Sequence, residues 1–86
     1  MLVDHHCHLD FPQFDEKRGE MIARAHAAGV GLMVTICTRI RNLDNLLAIS
    51  HAYPSVYCSV GTHPHYADEE LDISADEIAR LAQHPR

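Results

Sequence analysis

Residues 30–38 read Val-Gly-Leu-Met-Val-Thr-Ile-Cys-Thr, a run that is apolar almost throughout. Such continuous apolarity is typical of a parallel strand that is covered on both faces. On either side of the run, over residues 16–28 and 43–48, apolar side chains recur at three- and four-residue spacing, which indicates amphipathic helices. The run therefore predicts a buried parallel strand between two helices.

The rest of the chain continues this alternation. We expect strands within residues 1–10, 30–38 and 55–60, and helices over 16–28, from 42 to near 53, and from 74 onward. Gly29 is placed to end the first helix, Asn42 to cap the second, and Ser74 with Glu77 to form a capping box on the third. The order β-α-β-α-β-α predicts an α/β fold with parallel strands and helical crossovers.

The size of the chain limits what this pattern can build. With 86 residues, 47% of them hydrophobic and 22% charged, the chain has the composition of a small globular domain. Three parallel strands with three helices leave two sheet edges uncovered, which disfavours independent stability. A fourth strand would be due where the sequence ends. We therefore expect residues 1–86 to be a single incomplete domain, truncated after the third βα unit of a larger barrel or sheet.

Charge and cysteine content narrow the class of protein. Seven basic and twelve acidic residues give a net charge of −5, which argues against a basic nucleic-acid-binding surface, although bound metal ions could still attract a phosphodiester. The odd set of Cys7, Cys37 and Cys58 lies in apolar, strand-like runs and predicts reduced thiols with no disulfide partner. No targeting pattern or membrane-spanning run is found, so we expect a cytoplasmic protein that does not enter the membrane.

Two histidines lie two positions apart in the opening segment Val3-Asp-His-His-Cys-His-Leu-Asp10. Side chains alternate along a strand, so His6 and His8 should share one face at a backbone separation of roughly 6–7 Å, which suits one divalent metal. Asp4 and Asp10 have the same parity and are expected to be ligands or partners of the outer ring nitrogens. Four ionisable groups on one face of an apolar strand favour a metal site over a tag remnant or an ordinary surface. A catalytic metal site usually needs at least three ligands.

A second cluster, Gly61-Thr-His-Pro-His65, follows the third predicted strand. Parallel α/β proteins build their sites at the carboxyl ends of strands, and the first histidine pair lies toward the same end. Alone, the cluster is equally well explained as a solvated loop. Together, the two clusters predict one site at a shared rim. We expect the histidines in the predicted helices to be solvated. We also expect the acidic residues at positions 68–72 to form an acidic loop.

The opening segment, the helix end Ala27-Ala-Gly-Val30 and the stretch Val60-Gly-Thr-His-Pro-His65 together resemble the amino-terminal third of the TatD-type metal-dependent hydrolases. This resemblance implies a (β/α)8 TIM-type barrel with one or two divalent cations, Mg²⁺ or Mn²⁺, with Zn²⁺ as the alternative. It also implies deoxyribonuclease activity on DNA or a nucleotide substrate, often as a 3′ exonuclease. By matching position, His6 and His8 would be ligands of the first metal. His63 would be a catalytic and substrate-binding residue near the phosphate, with His65 beside it.

The sequence departs from that family pattern in two ways. His5 stands where the family has serine, and the family's bridging glutamate, two later histidines and an aspartate are not in this chain. With two of the expected ligands, we expect the isolated chain to bind metal weakly and to hydrolyse little or no substrate. Two alternatives stay open. One is another metal-dependent hydrolase of the same barrel class, acting on amides or phosphate monoesters, and the other is a small non-catalytic metal-binding or interaction module.

Overall fold

A parallel sheet forms the centre of the computed structural model, which describes residues 1–85. Its strands are β1 (Leu2–Cys7), β2 (Val30–Thr35) and β3 (Val56–Cys58), in the spatial order β1-β2-β3. Both strand pairs are parallel, and Met33 of β2 lies opposite Asp4 on one side and Val56 on the other. The predicted parallel α/β arrangement is confirmed, with each strand shorter than its predicted run.

Three α-helices follow the strands, α1 (Arg18–Ala27), α2 (Leu43–Ala52) and α3 (Ala75–Leu81), and each is preceded by a 3-10 helix. The 3-10 helices cover Pro12–Phe14, Ile40–Asn42 and Pro64–Glu70. Gly29 has a φ of +99°, a left-handed conformation that favours glycine, and it follows the end of α1 as predicted. The Ser74 hydroxyl accepts the Glu77 backbone N–H at 3.1 Å, which is the first of the two bonds of the predicted capping box and confirms Ser74 as the N-cap of α3.

One predicted cap is wrong, and several predicted boundaries differ from the observed ones. The side chain of Asn42 does not cap α2, because its Nδ2 donates to Oδ2 of Asp10 at 3.0 Å. β2 ends before residue 38, because the backbone N–H of Cys37 donates to the Ser59 hydroxyl at 3.0 Å instead of to a neighbouring strand. α1 begins two residues later than predicted, because three-residue turns occupy the preceding segment.

The hydrophobic core is divided into two clusters. The first lies among the sheet, α1 and α2, and contains Leu9, Ile22, Met33, Ile49 and Val56. The second lies around the start of α2 and contains Cys37, Ile40, Leu43 and Leu46. β1 forms one edge of the sheet, with Leu2 and Val3 exposed, so the core covers the sheet mainly at β2 and β3. Across residues 1–85, no helix is both long and apolar enough to cross a bilayer.

Two leucines offer a matched test of this core. Leu46 is fully buried, whereas Leu71 is 79% exposed. We expect Leu46→Ala to lower the free energy of unfolding by about 2–5 kcal/mol, because it removes buried methyl groups and leaves a cavity. Leu71→Ala should change it by no more than about 0.5 kcal/mol. Urea denaturation followed by circular dichroism measures both, and equal losses would contradict this assignment of the core.

Candidate functional site

The end of β1 brings the two predicted metal ligands together. His6 lies in the strand and His8 just beyond it, after the pairing with β2 becomes irregular between Asp4 and Cys7. The His6 and His8 ring centroids are 5.3 Å apart, with the ring planes at 80°. Two imidazoles at this separation can share one cation. Their role as ligands stays a prediction.

The His8 ring is held in place by its neighbours. It stacks on Phe11 with a centroid distance of 4.8 Å and an interplanar angle of 16°. Leu9, which follows His8 in the sequence, is buried, and its N–H donates to Thr35 Oγ1 at 3.1 Å. This bond ties the segment after β1 to the end of β2, so the position of His8 depends on both strands.

The two carboxylates predicted to support the histidines take different positions. Asp4 is exposed, and its Oδ1 accepts the backbone N–H of His6 at 3.1 Å. Asp10 is only 6% exposed and is bonded to Asn42. The shared parity expected for the two residues is wrong, because β1 ends at Cys7 and Asp10 lies in a turn. Within residues 1–85, neither carboxylate is hydrogen-bonded to a histidine ring. Their role as ligands or as partners of the outer ring nitrogens stays a prediction.

Two buried polar atoms at this end of the sheet, Nδ1 of His8 and Oδ1 of Asp10, have no hydrogen-bond partner within residues 1–85. Buried unpaired atoms of this kind are uncommon and call for a bound ion, water or ligand. Imidazole and carboxylate are ordinary ligands of divalent metals, so these two groups have the right chemistry to bind a divalent cation. They fall short in number, because the described part of the chain places no three His, Cys, Asp or Glu side chains around a common point for a metal.

The loop after β3 positions the second predicted cluster. The backbone N–H of His63 donates to the Thr38 carbonyl at 2.8 Å, which ties this loop to the segment after β2. Nδ1 of His63 accepts the backbone N–H of His65 at 3.0 Å and so caps the 3-10 helix that follows. Both rings are exposed, with centroids 6.5 Å apart. The cap leaves Nε2 of His63 as the ring nitrogen free to meet a ligand.

An open cavity of about 220 Å³ joins the two clusters. Its lining consists of His8, Phe11, Thr38, His63, His65 and Tyr66. His6 is not part of this lining but contacts His8 through its ring. The structure therefore brings together the four histidines that the sequence placed at one rim. The histidines of α1 and α2 lie outside this cavity. His26 is bonded to Ser55 at 2.9 Å, and His51 is bonded to His84 at 3.1 Å.

Glu70 connects the loops at the carboxyl ends of the strands, and it is buried whereas the other members of the predicted acidic loop, Asp68, Glu69 and Asp72, are exposed. The residue is 5% exposed, and its carboxylate accepts the backbone N–H groups of Ile40 and Arg41 at 2.7 and 2.9 Å, and also the Thr62 hydroxyl. Burial alone would raise the pKa of Glu70, but these hydrogen bonds and the Arg41 charge outweigh it and hold the pKa below 4.5. Nothing in the acidic run of sequence singles out this carboxylate.

Within residues 1–85, Cys7, Cys37 and Cys58 are free thiols. Burial is the main cause that raises the pKa of each, to about 11 for Cys7, where the charges of Asp4 and Asp10 add to the effect. The Cys7 thiol donates to the Val34 carbonyl at 3.4 Å and packs on the core. Cys7 is therefore a packing residue between two candidate ligands.

The fold and the site together define a parallel α/β protein with an imidazole-rich cavity at the carboxyl ends of its strands. A family model described as TatD related DNase matches residues 3–86. This chain belongs to the TatD related DNase family.

Individual relatives agree with this membership. The chain is 33% identical over 81 residues to the uncharacterized metal-dependent hydrolase YjjV of Escherichia coli (strain K12), covering 94% of this chain and 31% of that protein. It is 41% identical over 73 residues to the 3'-5' ssDNA/RNA exonuclease TatD of Cronobacter turicensis, covering 85% and 28%. The crystal structure of YjjV from E. coli K12 superposes with a TM-score of 0.84 at 30% identity, over 98% of this chain and 32% of that one. The chain spans about a third of the length of these relatives, and the resemblance stated from the sequence is confirmed.

Glu70 and its exposed neighbour Glu69 provide a matched pair of variants. We expect Glu70→Gln to lower the free energy of unfolding by about 1–3 kcal/mol, because the amide cannot accept all the buried donors that the carboxylate accepts. Glu69→Gln, which disturbs only an ion pair to Arg39 at 3.5 Å between half-exposed side chains, should have little effect. Urea denaturation near neutral pH compares them, and equal effects would contradict the structural role of Glu70.

The lowered pKa of Glu70 also predicts a pH dependence. Its ionised form is favoured by folding, so its contribution to stability is complete above the unfolded pKa of about 4.5 and is lost as the pH falls through the lower folded pKa. The stability difference between wild type and Glu70→Gln should therefore shrink on acidification. Denaturation midpoints of both proteins across this range measure it. A difference that stays constant or grows on acidification would show that the folded state does not favour the carboxylate.

Proposed function

We propose that this chain contributes part of a phosphodiesterase site in which His6 and His8 bind a divalent cation. His63 then faces the substrate phosphate and His65 lies beside it. The observation that carries this proposal is the cavity shared by His8, His63 and His65, with the His6 ring in contact with His8. We propose single-stranded DNA or RNA as the substrate, because a relative is named as a 3'-5' ssDNA/RNA exonuclease.

His63 has a defined part in this proposal. Its Nδ1 accepts the His65 backbone N–H, and a neutral imidazole that accepts at one nitrogen carries its proton on the other. Nε2–H of His63 can therefore donate to a phosphate oxygen, while the 3-10 helix fixes the plane of the ring. This donor stabilises negative charge that develops on the phosphate as the bond breaks. We therefore propose His63 as a catalytic residue, because it contacts the reacting phosphate.

The metal supplies the remaining chemistry when it is bound, since a divalent cation polarises a phosphoryl oxygen and lowers the pKa of a bound water. We propose Mg²⁺ or Mn²⁺ as the ion, with Zn²⁺ as the alternative that imidazole ligands also suit. Asp4 supports the segment that carries the ligands by accepting the backbone N–H of His6. Asp10 supports it by accepting a hydrogen bond from the Asn42 side-chain amide. The free thiols favour a reducing compartment, and we propose the cytoplasm.

Metal binding by the 86-residue chain tests the ligand assignment. We expect weak binding of Mn²⁺ or Zn²⁺, because the site offers two imidazoles and no third ligand within residues 1–85. His6→Ala and His8→Ala should each abolish it, whereas His26→Ala, at an exposed histidine bonded to Ser55, should not. Isothermal titration calorimetry measures the affinities. Unchanged binding in His6→Ala and His8→Ala would rule out this pair as ligands.

Hydrolysis is tested separately. We expect the 86-residue chain to release little or no nucleotide from end-labelled single-stranded DNA in Mg²⁺ or Mn²⁺, because a catalytic metal normally has three protein ligands. A gel assay against a buffer blank and His6→Ala gives the answer. Cleavage by the wild type that disappears in His6→Ala would contradict the expected inactivity of this chain.

A further inference from the structure

A second cavity, of about 440 Å³, adjoins the one that contains His63. The two cavities share Phe11, Thr38 and Tyr66 in their linings, so they lie side by side at the carboxyl ends of the strands, and together they are called the groove here. The rest of the second cavity is lined by Asp10, Pro12, Arg39, Arg41, Asn42 and Asn45. Its volume is in the range of sites that hold a small ligand.

Tyr66, which lines both cavities, is stacked with Arg39, which lines the second. The guanidinium of Arg39 lies over the Tyr66 ring, with Cζ 3.9 Å from the ring centroid, an arrangement that the ring's quadrupole stabilises. The Tyr66 ring also contacts His65 at a centroid distance of 5.2 Å and His63 at 6.4 Å. A flat, cationic surface therefore lies directly beside the histidine proposed to meet the phosphate.

The charge of the groove differs from that of the whole chain. Its lining has two arginines and one carboxylate, whereas the chain carries a net −5. Arg41 is paired with Asp72 at 2.6 Å, whereas the carboxylate that Arg39 pairs with within residues 1–85 is Glu69, at 3.5 Å between half-exposed groups. Such an exposed pair is weak, so Arg39 is the cation that a ligand can recruit.

We propose that this second cavity binds a nucleobase of single-stranded nucleic acid, stacked against the Arg39–Tyr66 pair. The proposal rests on the proposed function, since it places the base next to the phosphate that meets His63. Single-stranded bases stack on aromatic rings and on guanidinium planes with little regard to sequence. The amides of Asn42 and Asn45 line the same cavity and can meet the edge of the base. A paired duplex does not present its base faces, so this surface selects single strands.

Titration of the ¹⁵N-labelled 86-residue chain tests the proposal. The probes are a thymidine trinucleotide and the same trinucleotide with all bases replaced by abasic sites, both in EDTA so that binding does not depend on a metal. We expect the abasic form to bind at least about fivefold more weakly. The amide shifts from the intact form should centre on Thr38, Arg39 and Tyr66. A uridine trinucleotide run in parallel, with its own abasic form, shows whether RNA uses the same surface.

Variants of the stacked pair complete the test. Tyr66→Leu should reduce the advantage of the intact trinucleotide over the abasic one, and Tyr66→Phe should keep it, because the ring face is retained. Arg39→Lys, which keeps the charge and loses the plane, should reduce the advantage and gives the answer if Tyr66→Leu does not fold. Arg80→Lys, in α3 and outside the groove, is the control.

Some outcomes would overturn the proposal. These are equal binding of the intact and abasic forms of both polymers, amide shifts away from the groove, an unchanged advantage in Arg39→Lys, or no detectable binding. Because the titrations contain EDTA, failure of His6 and His8 to bind metal would leave these results intact. The two proposals can therefore fail separately.

Discussion

Side-chain hydrogen bonds hold the carboxyl ends of the three strands together where the backbone ladder stops. The Thr35 hydroxyl accepts the N–H of Leu9, and the Ser59 hydroxyl accepts the N–H of Cys37. Each bond satisfies a backbone donor that would otherwise lose hydration without compensation. Because short side chains replace the backbone partner, the chain can leave the plane of the sheet at these points. The separation of the strand ends makes room for the groove.

Glu70 extends this arrangement to the two longer loops. Its carboxylate joins the start of the Ile40–Asn42 3-10 helix to Thr62. The Thr38 carbonyl, which accepts the N–H of His63, connects the same two loops a second time. The Arg39–Tyr66 pair and the His63 ring are presented by loops that these bonds connect. The candidate phosphate site and the proposed base site therefore depend on one buried carboxylate that does not itself line either cavity.

Local signals in the sequence predict the fold well. The apolar run of β2, the glycine after α1 and the serine before α3 each act through their nearest neighbours, and their elements form as expected. Strand ends are harder to predict, because they are determined by partners such as Ser59, which lies 22 positions from Cys37. The alternation of side chains along a strand correctly predicted that His6 lies close to His8. It did not predict the position of Asp10, because β1 ends at Cys7.

The parts of the site that sequence reasoning missed share a physical cause. Glu70 meets its backbone partners 29 and 30 positions away, and Arg39 meets Tyr66 across the same two loops. No periodicity or spacing motif encodes such contacts, because they depend on how far each loop extends beyond the sheet. The histidine clusters were identifiable because each occupies a few consecutive residues next to a strand.

Paramagnetic broadening by Mn²⁺ reports whether the end of β1 and the loop after β3 face one cation. In a ¹⁵N spectrum of the 86-residue chain, substoichiometric Mn²⁺ should first broaden the amide signals of His6 and His8 and then that of His63. The signals of His51 and His84, which pair with each other outside the groove, should remain sharp. Broadening centred on His51 and His84, with His6 and His8 unaffected, would contradict the assignment of the site.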